Sequence, residues 1–325
     1  MLTTPLRQLL ASVLVFLVVG ATVAALLLFG GGDGESARPA PPRAEPGQSE
    51  TRAPAPSERV LAVKIDNVAA ARPQTGLASA DVVYVEPVEG GLTRLAAVYS
   101  SRMPEVVGPV RSARETDVEL LAQYGHPTLA FSGVAPELLP MLRRAPLTAA
   151  SEQRVPGAYF RDPARPMPHN LFVRPDRLPT GSGPGPDHVL PIGPAPEGGT
   201  PQGHHTARFQ AATYDFRWAA QQRRWQVSLD GSPLLTTEAG QASAHTVVVQ
   251  RVATRAGAQV EDAAGSLSPV ARTVGTGAVT VLRDGRAFEG TWSRPSAGEG
   301  TTFTTAAGDP LPRATGPVWV LLVPR

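Results

Sequence analysis

Val60-Leu61-Ala62-Val63-Lys64-Ile65-Asp66-Asn67 decides how the rest of the chain is read. An apolar run of strand length that stops at polar residues is the pattern of a buried strand with polar groups at its carboxyl end. Working outward, Asp81-Val82-Val83-Tyr84-Val85-Glu86 reads as a second strand ended by Pro87. Leu92 to Tyr99 follows the Gly90-Gly91 turn as a third, paired antiparallel with the second. Ser112 with Glu115 three residues later fits a capping box, which predicts a helix with Val118, Leu121 and Ala122 on one face and an end at Gly125. Thr128 to Phe131 reads as another strand, and Pro136-Glu137-Leu138-Leu139 starts a helix that Pro140 should shorten or bend.

Pro163 through Pro201 is rich in proline and glycine and reads as a long inter-domain loop. From His205 onward the pattern is β: Phe209 to Trp218, Trp225 to Leu229 closed by Asp230-Gly231, Thr246 to Val252, Val279 to Leu282, Ala287 to Trp292 and Val318 to Val323. Asp284-Gly285 between two of these signals a hairpin. The fold class is therefore α+β, a mixed α/β domain over residues 58–203 followed by a mostly antiparallel β domain over 204–325. Trp218, Trp225, Trp292 and Trp319 lie within the predicted strands, where core packing is a better expectation than sugar stacking.

Ahead of these domains the charge-free run from Leu9 to Phe29 is long enough, at ~1.5 Å per residue, to cross a hydrocarbon core of roughly 30 Å. It reads as an uncleaved signal anchor, because Leu26-Leu27-Leu28-Phe29 continues past the Ala24-Ala25 pair. Arg7 before it and Asp33 and Glu35 after it put residues 1–8 in the cytoplasm and the folded part outside. Residues 30–57 read as a disordered proline- and glycine-rich tether. The membrane is thus an expected partner through the 9–29 helix.

A net charge of +2 with no basic stripe and no finger spacing excludes the usual nucleic-acid signatures. The absence of cysteine removes thiol catalysis, thiolate metal sites and disulfides. No phosphate loop and no Gly-x-Gly-x-x-Gly follows a strand, so no nucleotide cofactor is called for. Adjacent His204 and His205 do not aim at one ion, and His188 sits among prolines, so no metal site is expected.

Lys64 to Arg114, Pro168-His169-Asn170-Leu171, Thr246-Val247-Val248-Val249-Gln250, the Thr273 to Arg294 run and Gly316-Pro317-Val318-Trp319-Val320 together resemble the YerB-like family of bacterial envelope lipoproteins. That resemblance implies two adjoining domains of unknown function. Members are commonly anchored through a lipid on a cysteine, and this chain has none.

The block between Lys64 and Glu115 holds the candidate site. Arg111, Ser112 and Arg114 at a predicted helix start, with Arg94, Asn67 and His169, are the candidate ligand-binding residues, suited to phosphate or carboxylate. In the opposing structural reading Ser112 is only a cap, Arg114 pairs with Glu115 or Glu86, Arg111 holds a loop and Arg94 is buried against Asp66 or Glu86. Asp66 and Glu86 are the weaker candidates for catalysis, as a carboxylate pair. Ser112 lacks a nucleophile elbow and a positioned histidine, which disfavours a serine hydrolase. Three readings follow: a non-catalytic envelope module that binds an anionic wall polymer or peptidoglycan fragment, a scaffold docking onto envelope enzymes, and a carboxylate-dependent hydrolase. The first is preferred.

Overall fold

The computed structural model describes residues 57–260 and 267–325. The expected cytoplasmic segment, membrane span and tether lie outside the described residues, apart from the end of the tether at Ser57. Among the described residues no helix is long and apolar enough to cross a membrane. The described residues fall in one compact unit.

The strands used below are β1 (Leu61–Ile65), β2 (Val82–Pro87), β3 (Thr93–Tyr99), β4 (Thr128–Phe131), β5 (Thr148–Ser151), β6 (His204–Arg208), β7 (Thr213–Ala219), β8 (Arg224–Leu229), β9 (Thr246–Val252), β10 (Gly275–Arg283), β11 (Arg286–Arg294) and β12 (Val318–Pro324). Helix α1 spans Glu115–Leu121 and α2 spans Leu139–Arg144. An 11-stranded sheet runs in the order β11, β10, β9, β12, β2, β3, β1, β4, β5, with short strands at Thr200–Pro201 and Thr302–Thr305 against β11. The predicted antiparallel pairing of β2 with β3 is present, Val82 opposite Val98 and Glu86 opposite Arg94.

This topology refines one expectation and corrects another. The C-terminal strands do not all pair antiparallel: β12 runs parallel to both β9 and β2. The apolar run Val318-Trp319-Val320-Leu321-Leu322-Val323 is buried on both faces, as a strand in the middle of a large parallel segment must be. Pro163–Pro201 is also not all loop, since it contributes a strand at Leu171–Val173 and a short helix at Pro186–Val189.

Each face of the large sheet is covered by a different layer. Leu61, Val63, Ile65, Val85, Leu95, Val247 and Trp319 pack against Tyr214, Phe216, Trp225 and Val227 of the sheet built on β6, β7 and β8. The alternate residues, Ala62, Tyr84, Ala96, Val98 and Val320, pack against Leu120, Leu121 and Tyr124 in and just after α1. The period-2 alternation on β1 sends Leu61, Val63 and Ile65 to one core and leaves Lys64 on the helix-covered face. Trp225, Trp292 and Trp319 are buried as expected, whereas Trp218 is half-buried and packs on Trp225 with ring centroids 5.3 Å apart.

The helix starts also differ from expectation. The N-cap of α1 is Arg114, and the Asp117 carboxylate accepts its backbone N–H at 2.6 Å, so Ser112 and Glu115 do not form the capping pair. Asp117, which also faces Lys64, wins that place because one carboxylate there serves both contacts. The helix expected from Pro136 opens as a 3-10 turn over Pro136–Leu138 and becomes α2 at Leu139, so Pro140 falls in the first α turn, where the missing N–H costs nothing. At the predicted hairpin, Asp284 and Gly285 take φ of 52° and 73°, the left-handed pair that a two-residue turn between β10 and β11 requires.

Candidate functional site

Strands β1, β2, β4 and β5 all point the same way, so their carboxyl ends lie along one edge of the sheet. The chain leaves β1 toward β2 and β3 on one side and returns to β4 and β5 on the other. Strand order therefore reverses between β1 and β4, the kind of position where open sheets bind ligands. Residues 109–113 cross that gap. Asp66 donates its N–H to the Pro109 carbonyl at 2.9 Å and Arg111 to the Lys64 carbonyl at 2.9 Å. On the other side the Arg111 carbonyl accepts the Ser132 N–H at 3.0 Å.

All the sequence-predicted residues gather at this end, but most are already engaged. Arg94, on the helix-covered face of β3, donates to Glu89 Oε1 at 2.8 Å. Arg114 takes both oxygens of the same carboxylate, Nε to Oε2 at 3.0 Å and Nη2 to Oε1 at 2.5 Å. Burial alone would raise the Glu89 pKa, but the Arg114 hydrogen bonds and the Arg94 and Arg114 charges overcome it and hold it at about 2. The pairing of Arg114 with Glu115 or Glu86, and of Arg94 with Asp66 or Glu86, is thereby replaced by one shared partner, Glu89. Glu115 instead pairs with Arg255 from the strand Thr254–Val260.

Asn67 is buried and spent within the protein. Its Nδ2 donates to Thr93 Oγ1 at 3.0 Å and to the Tyr214 hydroxyl at 2.5 Å, and its Oδ1 accepts from Gln74 at 3.1 Å. His169 is brought in by the Leu171–Val173 strand, where Leu171 O accepts the Val110 N–H at 2.6 Å. Its Nδ1 lies 2.7 Å from Asp66 Oδ2, and Arg111 Nε makes an ion-pair contact with that oxygen at 3.0 Å. Of the candidates only Arg111, Ser112 and His169 are not buried. The Arg111 side chain is 29% exposed, and among the described residues neither its terminal nitrogens nor the Ser112 hydroxyl has a partner.

The carboxylates considered for catalysis are equally committed. Glu86 Oε2 lies 2.7 Å from Lys64 Nζ, and Asp117 Oδ1 lies 2.8 Å from the same nitrogen, all three side chains being fully buried. Lys64 and Glu86 reach each other across β3 because Ala96, opposite Lys64, leaves room over that strand. Burial first, and the Asp117 charge second, push the Glu86 pKa up despite Lys64. Two facing carboxylates with one raised pKa thus exist, but the partner of Glu86 is Asp117, and no substrate reaches them.

A sequence profile described as the N-terminal domain of a protein of unknown function (DUF3048) matches residues 47–183, and the C-terminal domain of the same family matches 205–320. The chain belongs to this family. "Putative lipoprotein YerB" of Bacillus subtilis (strain 168) is 53% identical over 62 residues, a match spanning 19% of this chain and 19% of that relative. The crystal structure of YerB protein from Bacillus subtilis superposes with a TM-score of 0.68 at 21% identity, covering 86% of this chain and 94% of that one, a likeness of fold. The sequence resemblance is borne out by both comparisons.

Two concavities of this DUF3048 chain were not visible in its sequence. A half-open cleft of about 1320 Å³ is lined by Asp81, Arg102, Glu105, Arg224, Gln226 and Glu238 among others. Asp81 is already bonded to Ser100 and Ser101, and Glu238 to Ala78 N. A smaller hollow of about 320 Å³ opens at the carboxyl ends of β4 and β5. Neither was legible because the residues come from separate turns, and no local motif joins them.

Proposed function

We propose that the folded part is a non-catalytic binding module of the bacterial envelope, held at the membrane outside the cytoplasm, that takes an anionic ligand such as a wall polymer or peptidoglycan fragment. The lipoprotein description of the Bacillus relative supports the location. Attachment here falls to the apolar segment from Leu9 to Phe29, because the sequence holds no cysteine to carry a lipid.

One observation carries the ligand chemistry: Arg111 is ion-paired through Nε while its terminal nitrogens have no partner among the described residues, at the carboxyl ends of β1 and β4. A guanidinium fixed by one carboxylate is pre-oriented for a second, so little rotamer entropy is lost on binding. In this reading Arg94, Arg114, Asn67 and His169 form the frame. The hydrolase reading loses support, because Asp66 and Glu86 are each engaged by a cation and fully or nearly fully buried.

Thermal unfolding of the full-length protein with phosphate-bearing and peptidoglycan-derived fragments tests it, beside Arg111→Gln. A ligand at about 100 times its Kd adds roughly 2.7 kcal/mol, a shift of several degrees. The shift should vanish in Arg111→Gln. Fragments that leave the wild type unmoved, or that shift the variant equally, would reject the site.

A further inference from the structure

The hollow at the carboxyl ends of β4 and β5 is built from three pieces of chain. Phe131, Ser132, Gly133 and Val134 continue β4, Leu139, Leu142 and Arg143 share one face of α2, and Ala149, Ser151, Gln153 and Arg154 close it from β5 and the turn beyond. Positions 139, 142 and 143 stand three and four residues apart, so the helix places an apolar wall and a cation side by side. Phe131 and Leu142 belong to the buried core, and Leu139 at the rim is 38% exposed. The hollow is therefore apolar at its floor.

Its charge is one-sided. Arg143 and Arg154 line it, and no lining side chain is a carboxylate. Among the described residues the Arg143 side chain has no partner, and the Arg154 guanidinium donates only a long 3.4 Å contact to the Ala149 carbonyl. Glu152, the acid of the 151–154 turn, is turned away, 3.1 and 3.2 Å from Arg161. Ser151, Gln153 and Ser132 add polar side chains at the mouth. Small-ligand sites combine such an apolar body with few convergent polar groups, and about 300 Å³ is the lower end of their size range.

We infer that this hollow is a binding site for a small amphipathic carboxylic acid, its carboxylate held between Arg143 and Arg154 and its apolar body on Phe131, Leu142 and Ala149. It does not depend on the Arg111 reading, since the cations and the cavity are different. The same chemistry is supplied by a free short-chain acid or by the C-terminus of a peptide ending in an apolar residue.

Calorimetric titration of the full-length protein decides it, with hexanoate and N-acetyl-leucine standing for the two sources. Hexanoate or N-acetyl-leucine should bind, the tighter of them naming the source. Acetate, which lacks the body, and 1-hexanol, which lacks the charge, should bind at least about tenfold more weakly, and hexylamine not at all. Arg143→Gln with Arg154→Gln removes two charge-assisted contacts and should weaken binding by at least about tenfold, the worth of one of them. Gly133→Leu adds bulk at a lining position without crowding the backbone, since an added Cβ there meets nothing within 4 Å, and should weaken binding while leaving the melting temperature in place. Arg111→Gln should leave it intact. The inference is overturned if hexylamine or 1-hexanol binds as well as hexanoate, if the double arginine variant or the Gly133 variant keeps full affinity, or if neither acid binds at tens of millimolar.

Discussion

Replacing Lys64 by methionine should cost about 3–5 kcal/mol, and the cost should grow with pH. The ammonium sits 2.7 Å from Glu86 and 2.8 Å from Asp117 with no solvent access to any of the three. At an effective dielectric near 20, the contact with Asp117 and, once it is ionised, that with Glu86 are each worth about 6 kcal/mol of gross Coulomb attraction, most of which offsets the desolvation of the charges. Methionine keeps the volume and removes the charge, so two carboxylates are left facing each other, the situation in which breaking a buried pair costs about 3–5 kcal/mol. Urea unfolding of both proteins at pH 5 and pH 8 reads the difference. Glu86 has its folded pKa raised above the unfolded value, so its contribution is fully present below the unfolded pKa and is lost as pH rises through the folded one. At pH 5 Glu86 can hold its proton and the missing cation is less felt; at pH 8 the variant must keep Glu86 protonated against solvent or bury two charges. At about 2–4 °C per kcal/mol for large domains, the melting temperature should fall by roughly 6–20 °C at pH 8. A loss under about 1 kcal/mol, or one equal at the two pH values, would refute the triad as the fastening of α1 to the sheet.

Two further predictions concern neighbouring groups. Lys64 is the only lysine in the chain, so an amine-directed acylating reagent should modify the N-terminus alone while the protein is folded, and Lys64 only in denaturant; Lys64 modified at the rate of a free lysine in native buffer would show the site to be open. Glu89→Gln should destabilise by about 3 kcal/mol by leaving Arg94 and Arg114 sharing an uncharged partner, and it should flatten the acid limb: the folded Glu89 pKa is depressed to about 2, so its contribution is present above the unfolded value near 4.3 and is lost as pH falls toward 2. An unchanged acid limb in chemical unfolding would contradict that assignment.

Much of the fold could be read from the chain because its information is local. The apolar runs at Val60, Val82, Thr128, Thr246 and Val318 are strands within a residue or two, and Asp284-Gly285 can hardly be anything but a hairpin turn. The parallel insertion of β12 between β9 and β2 was not legible, because a buried strand's apolar pattern does not name its neighbours. The two domain blocks therefore read as separate sheets, although their strands share one.

The site failed in a more instructive way. Lys64, Glu86, Glu89, Arg94 and Arg114 looked like a polar surface because hydrophilic residues in a short span raise the odds of exposure. In the protein they satisfy one another beneath α1, Lys64 with Glu86 and Asp117, and Arg94 and Arg114 with Glu89. Period-2 alternation carries the explanation: Lys64, Glu86 and Arg94 fall on the same face as Ala62, Tyr84 and Ala96, and that face is the one α1 covers. A charged residue at an inward position of a strand that is apolar on both sides signals an ion pair within the core before it signals a ligand. Applied along the whole block, that rule leaves Arg111 and Ser112, on the segment between β3 and α1 that no strand alternation turns inward, as the two candidates within the block that are not buried.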